Sequence, residues 1–432
     1  MSKFLVPLPG IVYHKKNQNM FGLVDCNNFY ASCHRVWMPE HRTSPVIVLS
    51  NNDGCVIARS NEAKALGIKM GTPFFELKEM IIEKKIIVFS SHYALYGDMS
   101  ERVMNNLARF SPEVEVYSID ECFLKLDGFD DIAKYMTKIR KTIIKNTGIP
   151  VSVGAAPTKT LAKLANKLAK KGNGVCLLDT ADKIDLALSD YPVEDVWGIG
   201  RQYAAKLISL KIDTAEKFRK MPIEWVNKNM SIVGVRMWRE LRGESCLNMK
   251  TYFEPKKGMC TSRAFGKLTD DYQELQEATS NYASRLAFKL RREKLCTNVL
   301  SVRLLTNMFR KDLPQAFPSI TIALDHPVNN TPDLIKAALR GLKKIFRKGF
   351  KFQKVEVSAT GLIPENEVQL NFFKSYNDRN NKVSQVLDNL NSYYGKGTIR
   401  LASEGLVKKW DMRRSFLTPD YTNSWDDIIK VK

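Results

Sequence analysis

Asp120 and Glu121 are adjacent carboxylates between two short apolar segments. Before them, Val114 and Val116 alternate with polar residues, and the apolar run 123–126 follows, which is typical of two half-buried strands. Neighbouring carboxylates repel each other and are costly to desolvate unless a cation compensates. Magnesium prefers hard oxygen ligands of this kind. The pair is either a metal site or an exposed acidic turn, and taken alone it favours the turn.

A third carboxylate, Asp25, ends the apolar run 20–25, which predicts a buried strand. A strand that ends in an aspartate can deliver a metal ligand or cap the next helix, and the segment itself leaves both readings open. Small, amide and aromatic side chains follow at once: Cys26, Asn27, Asn28, Phe29 and Tyr30.

The predicted elements up to residue 179 run strand, insertion, helix, two strands, helix, strand, helix, strand. This order resembles a ferredoxin-like split βαβ sheet, with the segment 29–91 inserted after the first strand. In such a sheet, the strand that ends at Asp25 can lie beside the hairpin tip at Asp120 and Glu121. Three carboxylates would then share one end of the sheet. In the last helix, Lys159, Lys163, Lys167, Lys170 and Lys171 are all predicted to face outward.

Composition points to a multidomain globular protein with a polyanionic partner. The 432 residues are 44% hydrophobic and 26% charged, and they carry a formal charge of +21. Such a charge favours nucleic acid or an anionic membrane surface as the partner. The sequence has no run of eighteen apolar residues, so no membrane-spanning helix is predicted. Residues 1–19 have no long apolar region followed by a small-residue cleavage site, so secretion is not predicted. The eight cysteines form no Cys-x-x-Cys pair, which predicts reduced thiols in a cytoplasmic protein.

Two later segments fit binding to nucleic acid. The segment 180–250 is predicted to be helical, and Gly198 and Gly200 precede a helix that begins near Arg201. Backbone amides at such a turn can bind one phosphate, although a plain helix–helix turn is an equal alternative. A looser copy is predicted at 232–236. The segment 256–362, predicted as α/β, has 20 Lys and Arg against 9 Asp and Glu, which favours phosphate binding.

The C-terminal segment 363–432 is polar except for two apolar clusters. One of them can dock in an apolar groove as an extended peptide. It consists of Gln369, Leu370, Asn371, Phe372 and Phe373.

Several motifs, in this order along the chain, resemble Y-family translesion DNA polymerases, and within them the UmuC type of bacterial DNA polymerase V and its plasmid-borne relatives. The resemblance runs from about residue 20 to the C-terminus. Its motifs are Val24–Ala31, Ser50–Arg59, Tyr117–Glu121, Thr158–Asn166, Asp195–Arg201 and Tyr421–Lys432.

The resemblance implies an α+β multidomain right-hand polymerase: a ferredoxin-like palm with inserted fingers, a helical thumb and an α/β little-finger domain. The implied boundaries are a palm at 20–28 and 92–179, fingers at 29–91, a thumb at 180–250, a little finger at 256–362 and a tail at 363–432. Residues 1–19 form an N-terminal extension outside the resemblance.

The implied reaction is template-directed nucleotidyl transfer from a deoxynucleoside triphosphate to a primer 3′ hydroxyl, with two magnesium ions. Asp25 and Asp120 would hold the metals, the Cys26 carbonyl would add a backbone ligand, and Glu121 would complete the primer side. The nucleotide would contact the 26–30 segment, with Tyr30 excluding a 2′ hydroxyl. Lys64 and Lys170 would bind the triphosphate. Asn61 stands where many relatives outside the UmuC type have a tyrosine.

The resemblance also implies partners: primer–template DNA, a sliding clamp bound by the 369–373 peptide, a UmuD′-like subunit and RecA. It implies error-prone synthesis in the SOS response, in the bacterial cytoplasm at the nucleoid. Two rival functions are weighed against the polymerase. A non-catalytic, clamp-recruiting DNA-binding subunit has no physical need for three clustered carboxylates. A two-metal phosphatase or nuclease leaves the Gly-Ile-Gly turn and the clamp-like peptide unexplained.

Overall fold

The computed structural model describes residues 19–251, 254–369, 378–406 and 410–429. The strands in these ranges are β1 (Phe21–Cys26), β2 (Val46–Leu49), β3 (Val56–Arg59), β4 (Ile87–Ser90), β5 (Val114–Val116), β6 (Glu121–Lys125), β7 (Val151–Ala156), β8 (Val175–Leu177), β9 (Gly258–Thr269), β10 (Leu295–Thr306), β11 (Ser319–Val328) and β12 (Phe352–Pro364).

The helices in the same ranges are α1 (Phe29–Trp37), α2 (Asn61–Ala65), α3 (Lys78–Glu83), α4 (Tyr93–Leu107), α5 (Ile132–Thr147), α6 (Lys159–Lys171), α7 (Ala181–Ser189), α8 (Arg201–Ser209), α9 (Ala215–Arg219), α10 (Ile223–Leu241), α11 (Tyr272–Arg292), α12 (Thr331–Ile345) and α13 (Asp378–Tyr393). None of the described helices is long and apolar enough to cross a membrane.

The chain divides into two compact units. The first contains Met1–Ser50, Gly54–Phe253 and Phe416–Lys432, and the second contains Asn51–Asp53 and Glu254–Ser415. The predicted C-terminal segment 363–432 is therefore shared between the two units.

The main sheet of the first unit has the strand order β5-β6-β1-β7-β8. β1 is antiparallel to both β6 and β7, whereas β8 is parallel to β7. The order of β5, β6, β1 and β7 is that of a ferredoxin-like sheet, as predicted from the order of elements. A second sheet, β3-β2-β4, belongs to the inserted segment.

Side chains of β1 alternate between two cores, as a strand with both faces buried requires. Val24 and Cys26 pack in the core that contains residues of α1, α4 and α5. Phe21 and Leu23 pack instead in a core with residues of α6 and the helices of the 181–241 region. This double burial fixes the height of Asp25 at the end of the strand.

α6 begins at a side-chain cap, because the Thr158 hydroxyl accepts a hydrogen bond from Leu161 N. It lies very close to β7, where a Cβ atom on Gly154 would come within 2.1 Å of Asn166 N. The Asn166 amide donates to Leu23 O at 3.0 Å and to Ser152 O at 2.8 Å. Gly154 allows α6 to approach β7 closely, and Asn166 fixes the helix to β1 and β7 by hydrogen bonds.

One lysine of α6 does not face outward as predicted. Lys159 is 3% exposed and pairs with the buried carboxylate of Glu115, and its ammonium also donates to Asn248 O at 2.8 Å. The prediction that Lys159 faces outward was wrong, because helical spacing alone does not show that a partner carboxylate, Glu115, lies nearby on β5. Lys159 therefore ties the start of α6 to the end of the helical region.

In the second unit, the sheet order is β11-β10-β12-β9. Residues of α11 and α12 pack against one face and enclose an apolar core with Trp410. β9 and α13 were not predicted. β9 has no strict alternation of polar and apolar residues, and the Asn-rich start of α13 reads as loop.

Two boundaries also differ from prediction. α4 begins at Tyr93 rather than near Ser100. Buried Leu95, Tyr96 and Met99 extend the apolar spacing of the later turns, but Gly97 is unfavourable inside a helix and obscured this earlier start. The predicted second glycine turn at 232–236 lies inside α10, just after a break at Ser231, whose φ is 57°.

Candidate active site

The acidic site forms where β1 and β6 end side by side. Asp25 lies opposite Glu121 in the antiparallel register of these two strands. The next residue, Cys26, donates its backbone N–H to Asp120 O at 2.9 Å. The structure therefore brings together the ends of the two segments that carry the three predicted carboxylates, although 94 residues separate Asp25 from Asp120 in the sequence.

Ser118 shapes the turn that presents the acidic pair. Its hydroxyl donates to Asp120 Oδ1 at 2.7 Å, and its oxygen accepts from Glu121 N at 3.0 Å. The backbone N–H groups of Tyr117 and Ser118 both donate to Glu121 O at 3.1 Å. These bonds hold the Asp120 carboxylate at the tip of the hairpin, so the pair is not a loose exposed turn.

Two lysines of α6 neutralise the outer carboxylates. Lys170 Nζ lies 2.6 Å from Asp25 Oδ2, and Lys163 Nζ lies 2.8 and 3.0 Å from the two Glu121 oxygens. The lysines are seven residues apart, close to two helical turns, so both point from one face of α6. Lys163 was not predicted as a site residue. Its spacing from Lys170 was the signal that could have identified it.

Burial raises the pKa of Asp25 to about 6, although Lys170 acts in the opposite direction. The nearby charges of Glu121 and Asp120 raise the pKa of Asp25 further. A cation placed among these groups would therefore relieve both desolvation and mutual repulsion.

The carboxylates are compatible with a hard divalent ion in their chemistry but are not arranged around one. Within the described ranges, no three His, Cys, Asp or Glu side chains converge in the geometry of a metal site. The oxygens of Asp25 and Glu121 are bonded instead to lysine ammonium groups. Oxygen ligands and an excess of negative charge fit magnesium, and the two lysines would have to release their carboxylates to admit it.

The segment after Asp25 turns sharply into α1. Asn28 has a left-handed backbone, with φ 51°. Its side chain donates to Asn61 Oδ1 at 2.9 Å and accepts from Lys64 Nζ at 2.5 Å. Asn27 is held separately, since its N–H donates to Pro150 O and its side chain accepts from the Ser152 hydroxyl. Lys64 and Asn61 thus lie beside the predicted nucleotide-binding segment.

The Cys26 side chain is buried, and this burial raises the pKa of its thiol well above the ordinary value. The thiol is therefore protonated and packs in the core, whereas the backbone N–H of this residue donates to Asp120 O. Phe29 is also buried and belongs to the core below the sheet.

Tyr30 lies at the edge of an aromatic cluster. Its ring stacks on Tyr96, with centroids 4.1 Å apart and planes 10° apart, and Tyr93 meets it edge-on at 6.3 Å. Tyr30 is only partly buried, whereas Tyr96 is fully buried. A half-exposed ring on a buried ring can act as a rigid wall beside the acidic site.

Several basic side chains lie near the acidic site. Burial lowers the pKa of Lys64, and the charges of Arg59 and Lys170 lower it further. Lys170, Asp25 and Glu121 also line a cavity of about 290 Å³, together with Lys163 and Lys167. An anionic ligand would find several ammonium groups within this region of the first unit.

The Gly-Ile-Gly turn precedes α8 as predicted. Gly198 has φ 97°, and a Cβ atom there would lie 2.5 Å from Met237 Sδ. Gly200 is the N-cap residue of α8, and nothing lies within 4 Å of a Cβ atom built on it. The turn therefore needs glycine at Gly198 for its conformation and leaves the helix start open.

The predicted clamp-binding peptide lies mostly outside the described residues. Leu370, Asn371, Phe372 and Phe373 are not described, and Gln369 is exposed.

The fold is that of a class of protein, the Y-family DNA polymerases. In a comparison of folds, a Y-family DNA polymerase chimera of Dbh and Dpo4 matches with a TM-score of 0.63 at 19% identity, over 80% of this chain and 99% of the chimera. DinB from Sulfolobus solfataricus matches with a TM-score of 0.50 at 20% identity, over 80% of this chain and 99% of DinB.

Sequence comparison narrows the class. Residues 24–167 match the impB/mucB/samB family, and residues 256–372 match its C-terminal domain. Protein UmuC of Salmonella typhimurium is 42% identical, over 96% of this chain and all of that protein. Protein ImpB of Salmonella typhimurium is 40% identical, over 95% of this chain and 99% of that protein. The chain therefore belongs to the impB/mucB/samB family and is of the UmuC type.

A more distant relative, DNA polymerase IV of Treponema denticola, is 26% identical over 91% of this chain and 98% of that protein. Residues 381–431 match a further domain, whose function is unknown.

Proposed function

We propose that this chain is an error-prone, template-directed DNA polymerase that performs translesion synthesis in the SOS response. The observation that carries the proposal is the meeting of Asp25, Asp120 and Glu121 at one end of a ferredoxin-like sheet. In this reading, the segments 20–28 and 92–179 are the palm, 29–91 the fingers, 180–250 the thumb and 256–362 the little finger.

Asp25, Asp120 and the Cys26 carbonyl are proposed to hold two magnesium ions, with Glu121 on the primer side. When bound, such ions lower the pKa of the primer hydroxyl and neutralise the leaving pyrophosphate. The chain itself would supply preorganised oxygen ligands, because Ser118 already restrains the Asp120 carboxylate. Lys163 and Lys170 would move from these carboxylates to anionic groups of the substrates.

The incoming deoxynucleoside triphosphate is proposed to lie along the 26–30 segment. Lys64 and Lys170 would bind its phosphates. The Lys64 ammonium bonds to Asn28 in this segment, and the Lys170 ammonium bonds to Asp25 in the acidic site. Tyr30 would lie under the sugar and collide with a 2′ hydroxyl. Its stacking on the buried Tyr96 ring supports this role, because a steric wall must resist displacement.

Primer–template DNA is proposed to bind through its backbone. The start of α8 at Gly198 and Gly200 offers backbone amides suited to one phosphate. In the second unit, the 256–362 segment has eleven more basic than acidic residues. One face of its sheet carries the hydroxyls of Ser301 and Thr321, 2.9 Å apart, in the register that also brings Arg303 opposite Ser319. Small polar and basic side chains on an open face suit phosphate contacts without base readout.

A sliding clamp is proposed to bind the 369–373 peptide, and a UmuD′-like subunit and RecA are proposed as further partners in the bacterial cytoplasm at the nucleoid. Deleting 369–373 should lower clamp-dependent synthesis and spare clamp-independent synthesis. Equal loss of both activities would contradict clamp binding and indicate a structural role for the peptide.

The central experiment is primer extension with the full chain, magnesium and a primed template, alone and with the proposed accessory proteins. Asp120→Asn should reduce synthesis by about a hundredfold or more, because a metal ligand is lost. The matched control is Asp98→Asn, which removes a half-buried carboxylate bonded to Arg102 on α4. Wild-type synthesis by Asp120→Asn would refute the catalytic assignment.

The same experiment separates the polymerase from a non-catalytic, clamp-recruiting subunit. Such a subunit would bind primed DNA but extend no primer under any of these conditions. A two-metal nuclease would instead shorten the primer in the absence of nucleotides.

A further inference from the structure

Residues 416–421 belong to the first unit, where they contact the 29–107 region. Two hydrogen bonds join Phe416 to Ser90: Ser90 N donates to Phe416 O at 2.9 Å, and Phe416 N donates to the Ser90 hydroxyl at 3.0 Å. Five residues further on, Tyr421 stacks on Trp37 at 5.6 Å. These contacts fix both ends of the segment 416–421, which belongs to the domain of unknown function.

Between these two anchors, Thr418 is 7% exposed and reaches two buried histidines. Its hydroxyl lies 3.1 Å from His92 Nδ1 and 3.5 Å from His34 Nδ1. On the far side of the first histidine, His92 Nε2 lies 3.6 Å from the carboxylate of Asp420 in the same C-terminal segment. Because the Thr418 hydroxyl is buried, it must find its hydrogen-bond partners within the protein, and the two histidines provide them.

The second histidine continues the chain of contacts. His34 Nε2 lies 2.8 Å from the Tyr96 hydroxyl, and the imidazole stacks on Phe89 at 4.2 Å. His34 is fully buried and therefore neutral, so it has one N–H donor and one acceptor nitrogen. One ring nitrogen therefore donates and the other accepts, so His34 donates to one of Tyr96 and Thr418 and accepts a hydrogen bond from the other. In either arrangement, the Thr418 hydroxyl is the hydrogen-bond partner of His34 Nδ1 in the series Tyr96–His34–Thr418.

Tyr96 brings this chain to the acidic site, because its ring is the surface on which Tyr30 stacks. The start of α4 is held at the same time, since His92 is its N-cap residue and Tyr93, one residue on, packs against both Tyr30 and Tyr96. We propose that Thr418 is a positioning residue for sugar selection: through His34 and Tyr96, the C-terminal segment holds the Tyr30 ring in place.

This inference rests on the proposed role of Tyr30 as the residue that excludes a 2′ hydroxyl. It adds that the selectivity of the site depends on a segment 388 positions away in the sequence. A small displacement of a steric wall changes a steric preference more than it changes the rate with the correct substrate. The ratio of ribonucleotide to deoxynucleotide incorporation is thus the informative measurement.

The test compares Thr418→Val, which keeps the shape but removes the hydroxyl, with Thr418→Ser, which keeps the hydroxyl. In single-nucleotide extension by the full chain, Thr418→Val should raise the ribonucleotide-to-deoxynucleotide ratio of kcat/KM by about three- to tenfold. Thr418→Ser should restore most of the selectivity. The matched control is Thr422→Val, because the Thr422 hydroxyl accepts a bond from the neighbouring Asn423 amide instead.

Tyr30→Ala tests the proposed role of Tyr30 separately from the positioning role of Thr418. A raised ratio in Tyr30→Ala with an unchanged ratio in Thr418→Val would overturn the positioning role and leave the proposed role of Tyr30 standing. An unchanged ratio in Tyr30→Ala would refute that role and this inference with it. A lower melting temperature of Thr418→Val with an unchanged ratio also overturns the inference.

A second variant covers the case in which Thr418→Val does not fold. Tyr96→Phe keeps the ring that stacks on Tyr30 and removes only the hydroxyl bonded to His34. It should raise the ratio as Thr418→Val does, and the double variant should show less than the product of the two single effects, because both break one chain of contacts. An unchanged ratio in Tyr96→Phe overturns the proposal.

Discussion

Asp25 and Glu121 face each other across two antiparallel strands, and each carboxylate is bonded to a different lysine of the same helix. Lys170 and Lys163 are separated by about two turns of α6, so one rigid element compensates both charges. The Asn166 amide, between the two lysines in sequence, fixes the helix to β1 and β7. The position of α6 thus controls the charge balance of the acidic site.

The two lysines should affect different kinetic parameters. Lys170→Gln should raise the KM for the incoming nucleotide about tenfold, because this lysine is proposed to bind the triphosphate. Lys163→Gln should lower kcat by a similar factor with little change in KM, because Lys163 is proposed to move from Glu121 to an anionic group of the substrates on the primer side. Lys171→Gln, an exposed neighbour on α6, is the control. If both variants changed the same parameter, the proposed division of roles would be wrong.

Gly198 should be much less replaceable than Gly200. Gly198→Ala forces a side chain into a positive φ and against Met237, so we expect it to reduce the free energy of unfolding by about 1–3 kcal/mol. It should also weaken primer–template binding by displacing the start of α8. Gly200→Ala meets no atom within 4 Å and should change stability by about 0.5 kcal/mol or less. Urea denaturation and fluorescence anisotropy with labelled DNA measure the two effects, and equal destabilisation would contradict the steric argument.

The buried pair of Lys159 and Glu115 should be important for stability only as a pair. Lys159→Met leaves the buried Glu115 carboxylate without its ammonium partner, although Lys250 N still donates to it, and should cost about 3–5 kcal/mol in the free energy of unfolding. The double change with Glu115→Gln should recover a large part of this loss. An exposed pair gives the contrast, since Lys183→Met breaks only its surface contact to Asp179 and should cost about 0.5 kcal/mol. Additive losses in the double variant would contradict this reading.

His34 should make the fold sensitive to acid. Burial lowers the pKa of His34 to about 3 from the ordinary value of 6.5, and the charge of His92 acts in the same direction. The unfolded chain therefore binds a proton below pH 6.5, where the folded chain does not. The stability contributed by neutral His34 is complete above pH 6.5 and falls by about 1.4 kcal/mol per pH unit as the pH drops toward 3.

Replacing His34 should remove this dependence. In urea denaturation at stepped pH, His34→Gln should reduce the slope of unfolding free energy between pH 6 and 4 by about one proton. It should also lower stability at pH 7.5, because the contacts to Tyr96 and Thr418 change. Identical slopes for the variant and the wild type would show that His34 titrates normally in the folded protein.

Sequence patterns predicted much of the first unit because its strands and helices carry strong local signals. The apolar runs of β1 and β7, the helical spacing of α5 and the glycine that ends it were sufficient to predict the order of elements. The segments that were missed have weak or misleading signals. β9 lacks alternation, α13 starts in an Asn-rich stretch, and Lys159 lies on a helix whose spacing predicts that all its lysines face outward.

The sequence by itself determined the types of the site residues and the order of the elements that carry them. The acidic residues, the lysines of α6 and the Gly-Ile-Gly turn are local features, and each could be identified without coordinates. Only the tertiary structure decided which of them meet. The pairing of Lys163 with Glu121, and the approach of Thr418 to His34, depend on contacts between distant segments. Such contacts are fixed by packing, which local spacing does not encode.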